Sequence, residues 1–228
     1  EGQPVDGFVG ALPEAQIREF LDKHVPGADE LAAEAETEEA EALAENGHPD
    51  AAADKLRHAL ETDPANDQAR GDLIRLLLAQ GDVAGARATW QPWAPQVIVN
   101  QRAVAFGTLI EAHEQAGRDG DLAALDARIA SNRRDFDARF ARAQILLAAG
   151  AFTEAMDELL EILMRDKAWA DGRARVAYVA ILELMSKPAP KPAPGEPKGT
   201  LELTGKSAIP AGDPVVDQYR RKLSMALF

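Results

Sequence analysis

Histidine and carboxylate side chains are the groups of this chain that could perform acid–base or metal chemistry. The four histidines are His24, His48, His58 and His113, and no two of them lie four residues apart. The segment 113–117 has the His-Glu start of a zinc-protease motif without its second histidine. The sequence has no cysteine, no glycine-rich phosphate loop and no nucleophile-elbow motif. These patterns predict a protein that is not an enzyme, with no catalytic residues, metal or cofactor, in which the 38 acidic residues are solvated charges.

Composition favours a helical protein. Of the 228 residues, 46% are hydrophobic and only 5% are aromatic, and alanine-rich, aromatic-poor chains form helices more readily than sheets. The net charge of −13 disfavours nucleic acid and anionic membranes as partners. No run of 18 apolar residues predicts a membrane span. The absence of cysteine and of a secretory signal indicates a cytoplasmic location.

An internal repeat is the strongest feature of the sequence. Four glycines, each after a small or polar helix end, are spaced by 34, 36 and 33 residues: Gly47, Gly81, Gly117 and Gly150. An alanine follows five residues later at 52, 86 and 155, whereas 122–124 after Gly117 is degenerate. A helix–turn–helix period of 34 residues is that of tetratricopeptide repeats. We therefore expect an all-α, tetratricopeptide-like helical repeat solenoid, with a plain helical bundle as the alternative.

The 3.6-residue period places the helices of this repeat region. They are predicted near 29–46, 49–62, 66–80, 82–91, 101–117, 119–131, 136–149, 152–165 and 169–186. Asp50, Asp82 and Thr153 lie near the starts of second helices, where N-caps are expected. The tryptophans 90, 93 and 169 are interpreted as packing residues.

The chain divides into four predicted parts. Residues 1–25 do not fit the repeat: 4–10 alternates like a short strand, and Pro13 begins an amphipathic helix with Ile17, Phe20 and Leu21 on one face. The repeat domain covers 29–186. The segment 187–212 contains six prolines and reads as an extended linker or disordered loop, with a weak strand pattern at 200–204. A last amphipathic helix covers 213–228.

The last helix begins at Asp213-Pro214 with an N-cap and a proline at its first position. Its apolar stripe contains Val216, Tyr219, Leu223 and Leu227, and cationic residues occupy 220–222. This pattern is compatible with a helix that closes the repeat core and with an exposed anchor for a partner's groove.

An acidic stretch covers 29–45, with eight acids and no base. The stretch can be interpreted simply as a solvated helix face. Alternatively, it has a function, which would be to repel anionic partners or to attract basic unfolded segments. Some tetratricopeptide modules clamp an acidic chaperone terminus with cations. The register places non-basic residues at the equivalent positions: Thr37, Glu41, Asp72, Gly107 and Glu111. Such a clamp is therefore not predicted.

Three segments resemble known families. Residues 6–21 resemble the last strand and last helix of thioredoxin, which implies that the rest of a thioredoxin-like domain lies upstream of Glu1. Together with 159–169 and 213–228, they resemble the bacterial chaperedoxin family (CnoX/YbbN), thioredoxin-like co-chaperones with carboxy-terminal repeats. The proline-rich segment 187–212 departs from the family, which joins these helices by a short connection.

The resemblance implies a holdase that binds unfolding clients under oxidative stress and passes them to the chaperonin GroEL. It assigns the chaperonin contact to the last helix, at Val216, Tyr219, Arg220, Leu223, Leu227 and Phe228. Two other functions stay open: a repeat domain that presents substrates to a thiol-disulfide oxidoreductase, and a tetratricopeptide scaffold for one fixed partner.

Overall fold

The computed structural model describes residues 13–17, 20, 25–119, 121–186 and 213–227. They form two compact units, one within 13–69 and the other within 70–186 and 213–227. The described residues contain no β-strand. The helices are α1 Ala28–Glu45, α2 Pro49–Thr62, α3 Asp67–Ala79, α4 Val83–Trp90, the 3₁₀-helix η1 Gln91–Gln96, α5 Gln101–Asp119, α6 Leu122–Ser131, α7 Phe136–Ala148, α8 Phe152–Leu163, α9 Trp169–Met185 and α10 Pro214–Leu227.

The helix ends agree with the predicted ones to within three residues, and glycine is the main reason. Gly47, Gly81 and Gly150 have φ of 80°, 80° and 75°, the left-handed conformation that stops a helix. At Gly47 the following amide, of His48, donates to the Leu43 carbonyl at 2.9 Å, and the glycine amide donates to Ala44 O at 3.1 Å. The same pair of bonds recurs at the other two glycines. Three first helices therefore end in the same local structure.

The prediction for the third repeat is wrong at Gly117. This glycine lies inside α5, which continues to Asp119, and Ala123 and Ala124 are exposed. The buried residue at the start of α6 is Leu125, at 6% exposure. Leu125 is five residues after Gly120, which lies outside the described residues. The long α5 thus displaces the repeat by three residues.

The first unit is a helical hairpin packed through alanine. Ala33 and Ala40 of α1, and Ala52 and Ala59 of α2, are at most 1% exposed. Methyl side chains let two helix backbones approach closely. The alanine predicted five residues after each of Gly47, Gly81 and Gly150 is fully buried in every case.

The second unit has a core of large side chains. Fully buried residues of this unit include Trp93, Phe106, Ile110, Met156, Leu159, Ile162, Leu163, Tyr178 and Ile181. Trp93 lies in η1 and packs against Phe106 with ring centroids 5.6 Å apart. Trp169 packs on Phe136 and Phe140. The packing role predicted for Trp93 and Trp169 is confirmed.

Helix α9 lies at the centre of the second unit. It contacts α8 before it and α10 after it, and it also contacts α5, which belongs to an earlier helix pair. Residues on more than one of its sides are buried, including Tyr178, Ala180 and Leu182. Repeats in a regular array contact only their neighbours, so the contact between α9 and α5 is a departure from that arrangement.

Of the three predicted N-caps, Asp82 is correct, and Asp50 and Thr153 are wrong. Asp82 caps α4, accepting a bond from the Gly85 amide at 2.8 Å. Asp50 and Thr153 are not caps, because α2 and α8 each begin one residue earlier, after the N-cap residues His48 and Ala151. A Pro at the first position of α2 explains the shift there, since proline needs no amide partner.

The predicted parts at the chain ends are only partly within the described residues. Residues 14–17 are helical, and the amides of Gln16 and Ile17 donate to the Pro13 carbonyl at 2.9 and 3.1 Å, in agreement with the predicted helix start. The strand pattern at 4–10, the linker 187–212 and the strand pattern at 200–204 lie outside them.

Candidate protein-interaction surfaces

Helix α10 carries the partner residues predicted from the sequence, and it packs on α8 and α9 of its own unit. Val216 and Tyr219 are 2% and 5% exposed. Leu223 and Leu227 are half-buried and Arg220 is exposed. Phe228 lies outside the described residues. The apolar stripe of this helix is therefore directed at the chain itself.

A buried tyrosine pair joins α10 to α9. The Tyr178 hydroxyl donates to the Tyr219 carbonyl oxygen at 2.9 Å, and the two rings lie 6.5 Å apart. Burial raises the pKa of Tyr178 far above its usual value. The hydroxyl therefore remains a donor, and this bond is independent of pH in the ordinary range.

Polar contacts surround the tyrosine pair. Lys222 Nζ lies 3.1 Å from the Asp157 carboxylate and 4.0 Å from the centre of the Tyr219 ring. Lys167 Nζ donates to the Leu227 carbonyl at 2.7 Å, near the carboxyl end of α10. Arg220 donates to the Ser186 hydroxyl at 3.2 Å. These contacts hold helix α10 against both α8 and α9.

The outward face of α10 is what a partner meets while the helix stays in place. Met225 is 74% exposed and Val215 39% exposed. Arg221 is exposed beside Arg220. This face combines adjacent cations with exposed apolar side chains.

An unusual turn starts α9. Ala170, Asp171 and Gly172 all have left-handed backbone angles, with φ of 46°, 56° and 79°. Side chains other than glycine are disfavoured there by about 1–2 kcal/mol per residue. The residues on either side of the turn pack on one ring: Trp169 lies 5.3 Å from the centre of Phe140, and the Arg173 guanidinium 4.8 Å from it. Phe140 therefore holds both ends of the strained turn.

A cleft runs along α9 beside the first turn of α5. It has a volume of about 370 Å³. Its walls combine apolar, amide and charged side chains: Gln101, Val104, Asp171, Gly172, Arg175, Val176, Val179, Ala180 and Glu183. Val176 is 52% exposed. A smaller cavity of about 60 Å³ lies between α5, α7 and α9, where Phe140 and Arg173 form part of its wall.

An exposed apolar loop precedes α5. Val97, Ile98 and Val99 are 38%, 91% and 86% exposed. We define these three residues as the apolar tip. The sequence patterns described above did not predict this surface. The signal that could have identified the tip is the stretch 91–101, which contains no charged residue in a chain whose charged fraction is 28%.

The positions predicted to lie at a clamp groove have other roles in the structure. Thr37 is buried, donates to Ala33 O at 2.7 Å and accepts from Asn66 at 3.1 Å. Asp72 pairs with Arg75 at 3.1 Å. Glu111 borders the smaller cavity. These side chains therefore serve local packing or surface contacts.

The acidic helix α1 keeps part of its charge in pairs. Glu39 lies 2.8 Å from Lys55 Nζ, and Glu36 lies 2.7 Å from His58 Nδ1. The hydrogen bond to Glu36 raises the pKa of His58. Glu38 and Glu45 are exposed. This arrangement agrees with a solvated helix face.

The described part of the chain contains no group of three or more His, Cys, Asp or Glu side chains placed to hold a metal ion. None of the helices within it is long and apolar enough to cross a bilayer.

Comparison with known proteins supports the repeat assignment. Two family profiles, both described as Tetratricopeptide repeat, match residues 43–97 and 115–192. A search of curated proteins finds no significant match. With the paired helices described above, the chain has an all-α, tetratricopeptide-like helical repeat fold. Tetratricopeptide repeats indicate a protein–protein interaction scaffold, and protein is accordingly the class of partner.

Proposed function

We propose that this protein is the interaction domain of a co-chaperone that binds unfolding proteins and passes them to a chaperonin. The repeat fold supports a scaffold for protein partners, and the resemblance to chaperedoxins supports this particular use. Thioredoxin-like ancestry, a stress response and a cytoplasmic location belong to the same proposal.

The cleft along α9 is the observation that carries the proposal. Its apolar members Val104, Val176 and Val179 alternate with groups of both charge signs, among them Arg175 and Glu183. A surface for one fixed partner gains specificity from charges arranged against others. A cleft that is lined by valines and by side chains of both charge signs suits polypeptide segments of varied sequence.

An aggregation assay tests the client-binding half of this proposal. Two unrelated proteins, citrate synthase and luciferase, are heated with the full chain, and light scattering is followed; serum albumin at equal mass is the control. We expect suppression of both aggregations at near-equimolar chain. Failure to suppress either would favour a scaffold for a fixed partner and would overturn the holdase function.

The chaperonin contact at α10 is proposed by resemblance. Because the apolar stripe of this helix is buried against the chain itself, two modes of contact can be distinguished by experiment. Contact through Val216 and Tyr219 requires α10 to leave α8 and α9, whereas contact through Arg220 and Arg221 does not. Deleting the helix would expose the core, so surface variants are more informative.

We therefore compare Arg220→Glu/Arg221→Glu with the matched pair Arg133→Glu/Arg134→Glu, which changes two adjacent exposed arginines outside α10. Capture by immobilised GroEL is the measurement. A loss confined to the first pair supports contact by the outward face. Equal capture of both variants would remove that face from the proposal.

A further inference from the structure

The apolar tip is a rare arrangement for a surface loop. Single exposed apolar residues are normal, but here three β-branched residues follow one another, and Ile98 and Val99 are 91% and 86% exposed. The surrounding stretch 91–101 has no charge that would repel an apolar partner. Leaving this surface in water has a free-energy cost that burial against a partner would recover.

The base of the tip is held on both sides. Before it, Trp93 is 1% exposed and packs on Phe106. After it, the Asn100 side chain accepts from the Ala103 amide at 3.1 Å and caps α5. The Trp90 indole donates to the Ala103 carbonyl at 2.7 Å.

The tip backbone is itself hydrogen-bonded. The amides of Val99 and Asn100 donate to the Gln96 carbonyl at 3.0 and 2.8 Å. A surface held in one conformation before binding loses less entropy when a partner binds. The tip is therefore presented in a fixed position.

The tip adjoins the cleft along α9. Gln101 follows Val99 by two residues and borders the cleft, as does Val104 one turn later. The cleft then extends from Gly172 to Glu183 along α9. The apolar tip is thus followed along the chain by two residues of a cleft that also contains Val176 and Val179.

The size and charge of this surface indicate its occupant. Eleven helical steps from Gly172 to Glu183 span about 17 Å. An extended chain covers that distance with about five residues. The side chains around the cleft include both signs, from Asp171 to Arg175 to Glu183, so no net charge on the ligand is selected.

We propose that the apolar tip and the cleft along α9 form one docking surface for extended apolar segments of unfolded polypeptide. This inference rests on the proposed client-binding function and assigns it a place on the chain. The tip covers one or two apolar side chains of the segment, and the cleft receives the following residues.

Binding to a permanently unfolded probe tests the inference. The probe is reduced, carboxymethylated α-lactalbumin carrying a fluorophore, titrated with the full chain. Ile98→Ser/Val99→Ser should weaken binding about tenfold or more, because two exposed apolar side chains lose their burial in the complex. Val176→Ser in the cleft should weaken it in the same direction.

The matched control is Met225→Ser, which removes a 74%-exposed apolar side chain on α10. Its binding should equal that of the unchanged chain. Circular dichroism establishes that each variant is folded, which the high exposure of the substituted residues favours.

The outcomes separate the two proposals. Aggregation suppression that survives Ile98→Ser/Val99→Ser, with unchanged probe affinity, would overturn the docking surface and leave the holdase function standing. No binding or suppression by the unchanged chain would overturn both. A variant that only converts a dimer to a monomer would identify the tip as a self-association contact and would also overturn the inference.

Discussion

The two units of this chain build paired helices from different interiors. In the described residues of the first unit, Leu56 is the one buried apolar side chain larger than alanine. The second unit buries Trp93, Phe106, Tyr178 and many branched aliphatic residues. Alanine packing depends on close backbone approach and buries little area, whereas large side chains supply most of the hydrophobic free energy.

Units built from the same repeat pattern can thus differ both in the size of their hydrophobic core and in the kind of surface they present. The first unit presents an acidic face over a small interior. The second unit combines a large core with the apolar tip and the cleft along α9. An element that displays apolar surface needs a stable base, and the large core provides it.

The largest expected effect is in the second unit. Tyr219→Ala removes an aromatic side chain that is 5% exposed between α10 and α9. We expect a loss of about 3–5 kcal/mol in the free energy of unfolding, measured by urea denaturation. Met225→Ala on the same helix should change it by less than about 0.5 kcal/mol. Similar small values for both would show that α10 does not contribute to the core.

A smaller effect is expected from overpacking the first unit. Ala52→Leu places three extra carbons at a fully buried contact between α1 and α2. The cost is about 1–3 kcal/mol, since neither backbone can yield without losing other contacts. Faster hydrogen exchange of the α1 and α2 amides is the measurement. The neighbouring Ala51→Leu, on the exposed side of α2, is the control and should exchange as the unchanged chain does.

Opposite signs are expected at two left-handed positions. Gly47→Ala in the first unit, at φ 80°, should destabilise by about 1 kcal/mol. Ala170→Gly in the second unit, at φ 46°, should stabilise by about 0.5–1 kcal/mol, because relieved strain exceeds the added chain entropy. Thermal midpoints measure both. A destabilised Ala170→Gly would mean that this residue does not hold a left-handed conformation in solution.

The smallest expected effect is a pH dependence that differs between the units. The bond to Glu36 raises the pKa of His58 in the folded chain. Protonated His58 therefore stabilises the fold below its unfolded-state pKa of about 6.5, and this stabilisation is lost as the pH rises through the pKa of the folded chain. Burial lowers the pKa of His113, so stability decreases as the pH falls below about 6.5.

Histidine variants separate these two contributions. His58→Gln should remove a stabilising effect that is present at pH 5.5 and absent at pH 9. His113→Gln should remove a destabilising effect that is likewise present at pH 5.5 and absent at pH 9. The measurement is the urea midpoint at both pH values relative to the unchanged chain. Shifts of the same sign for both variants would contradict the assigned environments.

Most of the helix pattern could be predicted because it depends on neighbours in the sequence. Helices stop at Gly81 and Gly150, where the amide of the next residue donates to a carbonyl five residues before it. Asp82 caps a helix by accepting from an amide three residues later. Gly117 misled the prediction because a glycine inside a helix costs only about 1 kcal/mol relative to alanine, and α5 continues through it to Asp119. A left-handed turn at Ala170–Asp171 was not predictable, since neither residue type favours it strongly and the packing on Phe140 is what holds it.

The candidate surfaces were predictable only in part. The apolar stripe of the last helix was correct as a pattern, yet a stripe suits a partner's groove and its own core equally well. The tip was visible as an uncharged apolar stretch, but its exposure depends on Trp93 turning inward while Ile98 and Val99 do not.

The sequence by itself determined the helices, the repeat and the class of partner, because hydrophobic period, glycine stops and small-residue spacing act within about one repeat. Only the tertiary structure decided that α10 packs on α8 and α9, that α9 reaches α5, and that the apolar tip stays uncovered. Those outcomes depend on which surfaces meet across more than 30 residues, where burial of large side chains outweighs local preference.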